Sequence, residues 1–135
     1  MHLSVLAIGR LRDPVVTSLG DDYLKRIRRH YKIELVEVRN DAEAARRVAR
    51  NGHLVALEAS GRMYSSEEFS VWLQRRLTDP ARLQFVIGGA EGLSAGLVKR
   101  ANERLSLGPM TLPHRLARVV LLEQLYRAVA IQRGE

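Results

Sequence analysis

The side chains best suited to chemistry lie in the last third of the chain. Histidine exchanges protons near neutral pH, so His114 is a candidate for proton handling, with a helix cap or a surface group as the alternative. Glu123 and Arg127 are spaced i, i+4 in the order that favours an ion pair. They interrupt an otherwise apolar stretch, so their charges need partners, either in a substrate or in structural pairing across a dimer.

The segment before His114 contains two prolines and a glycine, Leu107-Gly108-Pro109-Met110-Thr111-Leu112-Pro113. Proline has no amide donor and is excluded from a central strand. The segment is therefore predicted to be a constrained loop with free carbonyls and amides that could hydrogen-bond the edge of a heterocycle. A purely structural loop is the alternative.

A glycine-rich turn, Gly88-Gly89-Ala90-Glu91-Gly92, follows a short apolar run. Glycine lets the backbone approach a ligand closely, and tight turns also use it. The turn matches neither the dinucleotide nor the P-loop pattern, which argues against a generic nucleotide-binding protein. No His, Asp or Glu spacing resembles a metal site and no nucleophile elbow is present, so we expect no metal.

Short β-type runs alternate with helical patterns along the chain. Strands are predicted over residues 3–8, 33–38, 54–57 and 83–87, with a turn at Ser60-Gly61 and a fifth extended piece over 105–112. Helices are predicted to begin at Asp13-Pro14, Asn40, Ser65 and Ser94, and a last helix is predicted over 115–133. This alternation predicts one α/β domain over residues 1–135 with a mainly parallel sheet.

Two helices have informative apolar patterns. In the first, Val15, Leu19, Tyr23, Ile27 and Tyr31 recur every four residues, which predicts an amphipathic helix. The last is apolar around nearly its whole circumference between residues 116 and 131, so we expect it to be buried on two sides. A second copy of the chain could cover it, giving a homodimer; a central helix inside one monomer is the alternative.

Charge and composition restrict the partners. The net charge is +7, and 19 of the 22 basic residues are arginine. Guanidinium groups bind phosphate well, which favours a nucleic-acid partner, although genomic base composition could also explain the arginine bias. There is no cysteine, no apolar run long enough to span a membrane and no secretory signal pattern, so we expect a cytoplasmic protein.

Three longer motifs resemble one family, the RlmH-type pseudouridine N3-methyltransferases of the large ribosomal subunit, and the resemblance covers essentially the whole chain. The motifs are Phe85-Val86-Ile87-Gly88-Gly89-Ala90-Glu91-Gly92-Leu93, Met110-Thr111-Leu112-Pro113-His114 and Arg118-Val119-Val120-Leu121-Leu122-Glu123-Gln124-Leu125-Tyr126-Arg127-Ala128.

The resemblance implies a SPOUT-type fold with a C-terminal trefoil knot, a dimer that buries the last helix, and methyl transfer from S-adenosyl-L-methionine to 23S-type ribosomal RNA on the 70S ribosome. It implies catalytic or substrate-binding roles for His114 and Arg127. The implied cofactor residues are Leu57, Gly88, Leu107, Gly108, Pro109, Met110, Thr111 and Leu112.

One departure from the family pattern concerns the C-terminus. Members usually continue after the last helix with a short tail ending in Tyr-His and a basic residue, whereas this sequence reads Arg133-Gly134-Glu135. If those groups help to complete the site, a non-catalytic, basic ribosome-binding protein with the same fold is the alternative function.

Overall fold

The computed structural model describes residues 2–134. The strands are β1 (His2–Ile8), β2 (Lys32–Val38), β3 (His53–Arg62), β4 (Leu83–Ile87) and β5 (Glu103–Leu105). The helices are α1 (Pro14–Ile27), α2 (Asp41–Arg46), α3 (Ser66–Thr78), α4 (Ala95–Arg100) and α5 (His114–Gln132). None of the helices described within residues 2–134 is long and apolar enough to cross a membrane.

The five strands form one sheet in the order β2-β1-β4-β3-β5, and every neighbouring pair is parallel. The carboxyl ends of all five strands therefore lie along one edge. The predicted α/β fold class is confirmed.

Several predicted helix starts are confirmed by their caps. The Asp13 carboxylate accepts hydrogen bonds from the first amides of α1, and Ser65 with Glu68 forms a reciprocal capping box on α3. Asn40 caps α2 as predicted, but the Glu43 carboxylate accepts from the amide of Arg39, so the capping box predicted there is incomplete.

The prediction for the third strand is wrong at its carboxyl end. Ser60-Gly61 was predicted to be a turn, yet β3 continues to Arg62. Leu57 and Arg62 both pair with Leu105, so the residues between them form an irregularity in the strand. A Cβ at Gly61 would lie 2.7 Å from the Arg104 carbonyl carbon, so this close approach of two strands requires glycine.

Helices cover both faces of the sheet. Side chains of α1, α3 and α5 form the larger core on one face, and Ala44 of α2 and Leu97 of α4 belong to a smaller core on the other. Successive side chains of β1 point to opposite faces of the sheet. Leu3 and Val5 therefore belong to the larger core and Leu6 to the smaller one.

Helix α1 is amphipathic as predicted, and the predicted stripe is correct in its later part, where Ile27 is buried and Tyr23 and Tyr31 pack against the larger core, but wrong in its first two residues. Val15 and Leu19 are exposed, and the buried residues are Val16, Leu24 and Ile27. A repeat of four drifts around a helix of 3.6 residues per turn, so a stripe with that spacing cannot stay on one face.

Helix α5 packs against both α1 and α3 on the sheet. This packing buries Leu121, Leu122 and Leu125 among others. Contacts within one chain therefore cover part of the apolar surface of α5. The opposite side is only partly covered, and Leu116 near the start of the helix is exposed.

The one charged side chain in the buried face of α5 is Arg118, whose side chain is 5% exposed. It donates to the Glu37 carboxylate at the end of β2 and to the Gly9 carbonyl after β1, each at 2.6 Å. Glu37 also accepts from the Leu11 amide at 2.8 Å. Arg118 thus fixes α5 to the carboxyl ends of two strands.

Arg118→Met is expected to destabilise the protein by about 2–3 kcal/mol. Breaking a buried pair costs more than this in many proteins, but the Glu37 side chain is 37% exposed and water replaces part of the lost interaction. The measurement is urea unfolding at neutral pH. The control is Arg39→Met, which breaks the exposed pair with Glu43 and should change stability little. Equal effects of the two substitutions would contradict the role of Arg118.

The same pair predicts a pH dependence. Burial alone raises the pKa of Glu37, but the hydrogen bonds from Leu11 and Arg118 outweigh it and hold the pKa below its ordinary value of 4.5. A carboxyl with a lowered pKa stabilises the fold above its unfolded-state pKa, and this contribution is lost as pH falls through the folded-state pKa. Stability of the wild type should therefore fall more steeply below about pH 4.5 than that of Arg118→Met.

Candidate functional site

The strand register brings three of the predicted cofactor segments to one edge of the sheet. Ala56 of β3 pairs with Val86 of β4, which places Leu57 level with the end of β4, immediately before Gly88. Leu57 also pairs with Leu105, the last residue of β5. Neighbouring strands lie about 4.8 Å apart, so Leu57, Gly88 and the start of the loop after β5 lie within roughly 10 Å of one another.

The turn after β4 closes on itself. The Gly92 amide donates to the Gly89 carbonyl at 3.0 Å, and Gly92 has a φ of +77°. A Cβ at Gly88 would lie 2.5 Å from the carbonyl carbon of Gly92 and 2.8 Å from the Leu93 nitrogen. The nearest atoms to Gly88 therefore belong to the turn itself, so this turn requires glycine whether or not a ligand lies beside it.

The segment after β5 is a loop, and the prediction of an extended piece over 105–112 is wrong because β5 ends at Leu105. The Ser106 hydroxyl accepts from the Gly108 amide at 3.1 Å and donates to the Gly108 carbonyl at 3.0 Å. Beyond it the loop is exposed, with Met110 at 82%. The prediction of a constrained loop, made from its two prolines, is confirmed.

A cavity of about 340 Å³ lies between this loop, the turn from β3 into α3, and α5. Of the predicted cofactor residues, Leu107 and Gly108 line it, whereas Leu57, Gly88 and residues 109–112 do not. Its other lining residues include Tyr64, Ser66, Ser106, Val120 and Gln124. The volume lies within the range of small-molecule sites.

Several of these lining residues were missed from the sequence. For Gln124 a sequence signal exists, because it is one of the few polar residues on the otherwise apolar α5. Nothing local indicated Ser66, which is brought to the cavity by the packing of α3 on α5. The Ser66 hydroxyl donates to Oε1 of Gln124 at 3.2 Å.

A chain of hydrogen bonds runs from the cavity to Arg127. The Gln124 amide donates to Glu123 Oε1 at 2.7 Å, and Arg127 donates to Glu123 Oε2 from Nε at 3.0 Å and from Nη2 at 2.7 Å. The Glu123–Arg127 pair expected from the spacing is present. Because both guanidinium nitrogens share one carboxylate oxygen, the Arg127 side chain is held in place while remaining half-exposed.

His114 is the first residue of α5, and Pro113 precedes it without a side-chain cap. No hydrogen bond or ion pair engages the His114 side chain within residues 2–134. His114 and Arg127 are 13 residues apart on one helix, which at 1.5 Å per residue separates them by about 20 Å. The structure therefore does not bring the two predicted catalytic residues together within one chain.

Within residues 2–134, no three His, Cys, Asp or Glu side chains lie close enough together to hold a metal ion. The polar groups at the 340 Å³ cavity are main-chain groups, hydroxyls and the Gln124 amide, and hydrogen bonds connect this amide through Glu123 to the half-exposed guanidinium of Arg127.

Comparison with known proteins identifies the family. A sequence model described as "Predicted SPOUT methyltransferase" matches residues 1–135. The chain belongs to this family. It is also similar to proteins named ribosomal RNA large subunit methyltransferase H from Bacillus cereus and Listeria monocytogenes, each 39% identical over 155 positions that cover 100% of this chain and 98% of the relative.

Solved structures share the fold. A probable methylase family protein from Haemophilus influenzae superposes with a TM-score of 0.59 at 12% identity, covering 99% of this chain and 68% of that one. The A. aeolicus TrmH/SpoU tRNA modifying enzyme gives a TM-score of 0.57 at 17% identity, covering 98% and 77%. At these identities the likeness establishes the architecture alone, and the family resemblance inferred from the motifs is confirmed by the full-length sequence matches.

Gly88→Ala is expected to weaken binding of S-adenosylhomocysteine, because the added Cβ displaces the backbone of Gly92 and Leu93 beside the site. The control is Gly96→Ala in α4, where an added Cβ meets only the Ser94 hydroxyl at 4.0 Å. Calorimetry should show lower affinity for Gly88→Ala alone. Unchanged affinity in both variants would show that this turn does not shape the cofactor site.

Proposed function

We propose that this chain transfers a methyl group from S-adenosylmethionine to N3 of a pseudouridine in large-subunit ribosomal RNA, on the assembled 70S ribosome. The observation that carries the proposal is the full-length similarity to methyltransferases named for that RNA. The choice of pseudouridine N3 and of the assembled ribosome rests on the three motifs that resemble the RlmH-type family. The non-catalytic alternative is not favoured, because the relatives and the family model are named as methyltransferases.

The residues present fit a cofactor with an adenosine and an amino-acid portion. The 340 Å³ cavity, which Leu107 and Gly108 line at the start of the loop, combines apolar walls with hydroxyl and amide groups. The amides of Met110, Thr111 and Leu112 make no hydrogen bond within residues 2–134 and are free to recognise a heterocycle edge. We assign the cofactor to Leu57, Gly88 and the loop 107–112. Bound there, it would supply an electrophilic methyl group.

Arg127 and His114 would act on the substrate. Arg127 carries a fixed positive charge at an exposed position, held by Glu123, and such a charge stabilises the anion formed when the imide of the base loses its proton. His114 would contact the substrate or accept that proton. Glu123 and Gln124 orient Arg127 and are positioning residues.

The 20 Å between His114 and Arg127 requires a second chain if both are to act on one nucleotide. The midpoint between the two residues lies between Val120 and Leu121, so a two-fold axis crossing α5 there would bring His114 of one chain towards Arg127 of the partner subunit. Exposed apolar side chains at Leu116 of α5 and Val15 and Leu19 of α1 provide the surface to bury. We therefore propose a homodimer with two composite sites.

The remaining assignments follow from the family. The chain would act as one SPOUT domain over residues 1–135 with a trefoil knot in its C-terminal part, and would work in the cytoplasm, where ribosomes are assembled and modified.

Arg127→Ala is expected to reduce methyl transfer strongly while leaving cofactor affinity nearly unchanged. Loss of one charge directed at a developing anion raises the barrier by roughly 2.7–4 kcal/mol. The assay is incorporation of tritiated methyl groups into unmodified 70S particles, with calorimetry for the cofactor. Arg46→Ala on α2 removes the same charge from an exposed position and should retain activity. A wild-type chain that binds no cofactor and methylates no ribosome would overturn the proposed function.

A mixing experiment tests the composite site. His114→Ala and Arg127→Ala should each be weakly active alone, whereas a mixture re-equilibrated after mild dissociation should recover about a quarter of wild-type activity, because half of the dimers then contain one intact site of two. Light scattering on the wild type should give about twice 15.2 kDa. A monomer, or a mixture no more active than its parts, would contradict the shared site.

A further inference from the structure

A second cavity, of about 600 Å³, opens at the sheet edge beside β5 and α3. Its lining shares a single residue, Tyr64, with the 340 Å³ cavity. The two cavities are therefore neighbours with the Tyr64 side chain between them, and the proposed methyl-transfer site makes no use of the second one.

Three arginines line this edge cavity: Arg62, Arg75 and Arg76. None of them has a carboxylate within ion-pair distance among residues 2–134. The guanidinium carbon of Arg62 lies 4.7 Å from the centre of the Tyr64 ring, an arrangement that orients the group and leaves its N–H edge free. The lining therefore carries three guanidinium groups against the two carboxylates of Glu68 and Glu103, so its charge is positive on balance.

The two carboxylates in the lining are already engaged. Glu103 is bound by His53 Nε2, and it accepts from the Trp72 indole at 3.0 Å and 3.2 Å. Glu68 accepts from the Ser65 amide at 2.8 Å as part of the α3 capping box. The His53 ring, also in the lining, faces Nη1 of Arg76 through Nδ1 at 3.2 Å.

Two buried donors at this cavity lack partners within residues 2–134: the Tyr64 hydroxyl and Nε of Arg76. Burial and, after it, the Glu103 carboxylate beside the ring raise the pKa of Tyr64, so the hydroxyl keeps its proton and has an acceptor close by. Buried donors without an acceptor are rare in folded proteins and indicate a missing partner. For Nε of Arg76, an acceptor rich in oxygen and negative charge would be such a partner after a small shift of the side chain.

We propose that the edge cavity binds a phosphate group of the ribosomal RNA backbone, as an RNA contact separate from the methyl-transfer site. The identity of the RNA rests on the proposed function. Guanidinium groups bind phosphate oxygens with paired hydrogen bonds, and such contacts fix the position of the nucleic acid without reading its sequence. Because Tyr64 lines both cavities, a strand held at the edge cavity would lie next to the 340 Å³ cavity, where the loop 107–112 begins.

The chain's single tryptophan, Trp72, lines the cavity and reports on it directly. We would follow Trp72 fluorescence while titrating a large-subunit rRNA fragment at several salt concentrations. In the wild type, RNA should change the emission. In Arg62→Gln/Arg75→Gln, the change should be lost, and the slope of log affinity against log salt should fall by about one per lost phosphate contact.

The matched control is Arg46→Gln/Arg50→Gln, which removes two exposed charges in and after α2, on the other face of the sheet. It should keep the emission change. Circular dichroism and thermal unfolding establish that each variant is folded. Wild-type emission change and salt slope in Arg62→Gln/Arg75→Gln would overturn the proposal. An emission change with inorganic phosphate but none with RNA would also overturn it, since the cavity would then take only the free anion.

Methyl transfer to 70S particles and calorimetry with S-adenosylhomocysteine separate this proposal from the proposed function. With both correct, Arg62→Gln/Arg75→Gln should raise the KM for ribosomes, leave kcat unchanged and bind the cofactor as the wild type does. A wild type without cofactor binding or methyl transfer, but with the expected fluorescence results, would overturn the proposed function alone.

Discussion

The buried guanidinium of Arg118 determines where α5 can lie, and both candidate catalytic side chains are on α5. Its two short hydrogen bonds, to Glu37 and to the Gly9 carbonyl, join the helix to the ends of β2 and β1. A charge this deep is stable only with its partners in place, so α5 cannot slide or rotate without leaving the Arg118 guanidinium buried and unpaired. The pair therefore fixes the position of His114 one turn before it and, through the rigid helix, of Arg127 farther along.

This rigidity has a consequence for the site. A helix held in one register keeps its two ends about 20 Å apart, so His114 and Arg127 cannot converge by any adjustment within the chain. The hydrogen-bonded series from Ser66 through Gln124 and Glu123 connects Arg127 to the wall of the 340 Å³ cavity. Arg127 is thus connected to the cavity of its own chain, and in the proposed homodimer the histidine that completes the site would be His114 of the partner subunit.

Much of the fold could be predicted from local sequence signals, because the apolar run of a strand, a glycine turn and a helix cap were each unambiguous. The strand over 83–87 and the glycine turn after it agree with the structure, as do the caps at Asp13 and Ser65. The errors arise where non-local packing decides. Ser60-Gly61 has the composition of a turn, yet close contact with β5 keeps it in a strand. Ser66 and Gln124 are in contact only because α3 and α5 pack together. The spacing of residues along the sequence does not predict that contact.

The same distinction applies to charge. The excess of arginine indicated a polyanion partner but could not assign roles, because the value of a guanidinium depends on its neighbours. Arg118 and Arg127 each face a carboxylate, so their charges are used in placing α5 and in orienting one exposed group. Arg62 and Arg75 lie beside a cavity whose carboxylates are bound by other residues. A cation without a paired carboxylate exchanges bound counterions for RNA phosphates at less cost than a paired one, so under the proposed RNA contact the salt dependence of binding should follow the unpaired arginines that meet phosphate more closely than the net charge of the chain.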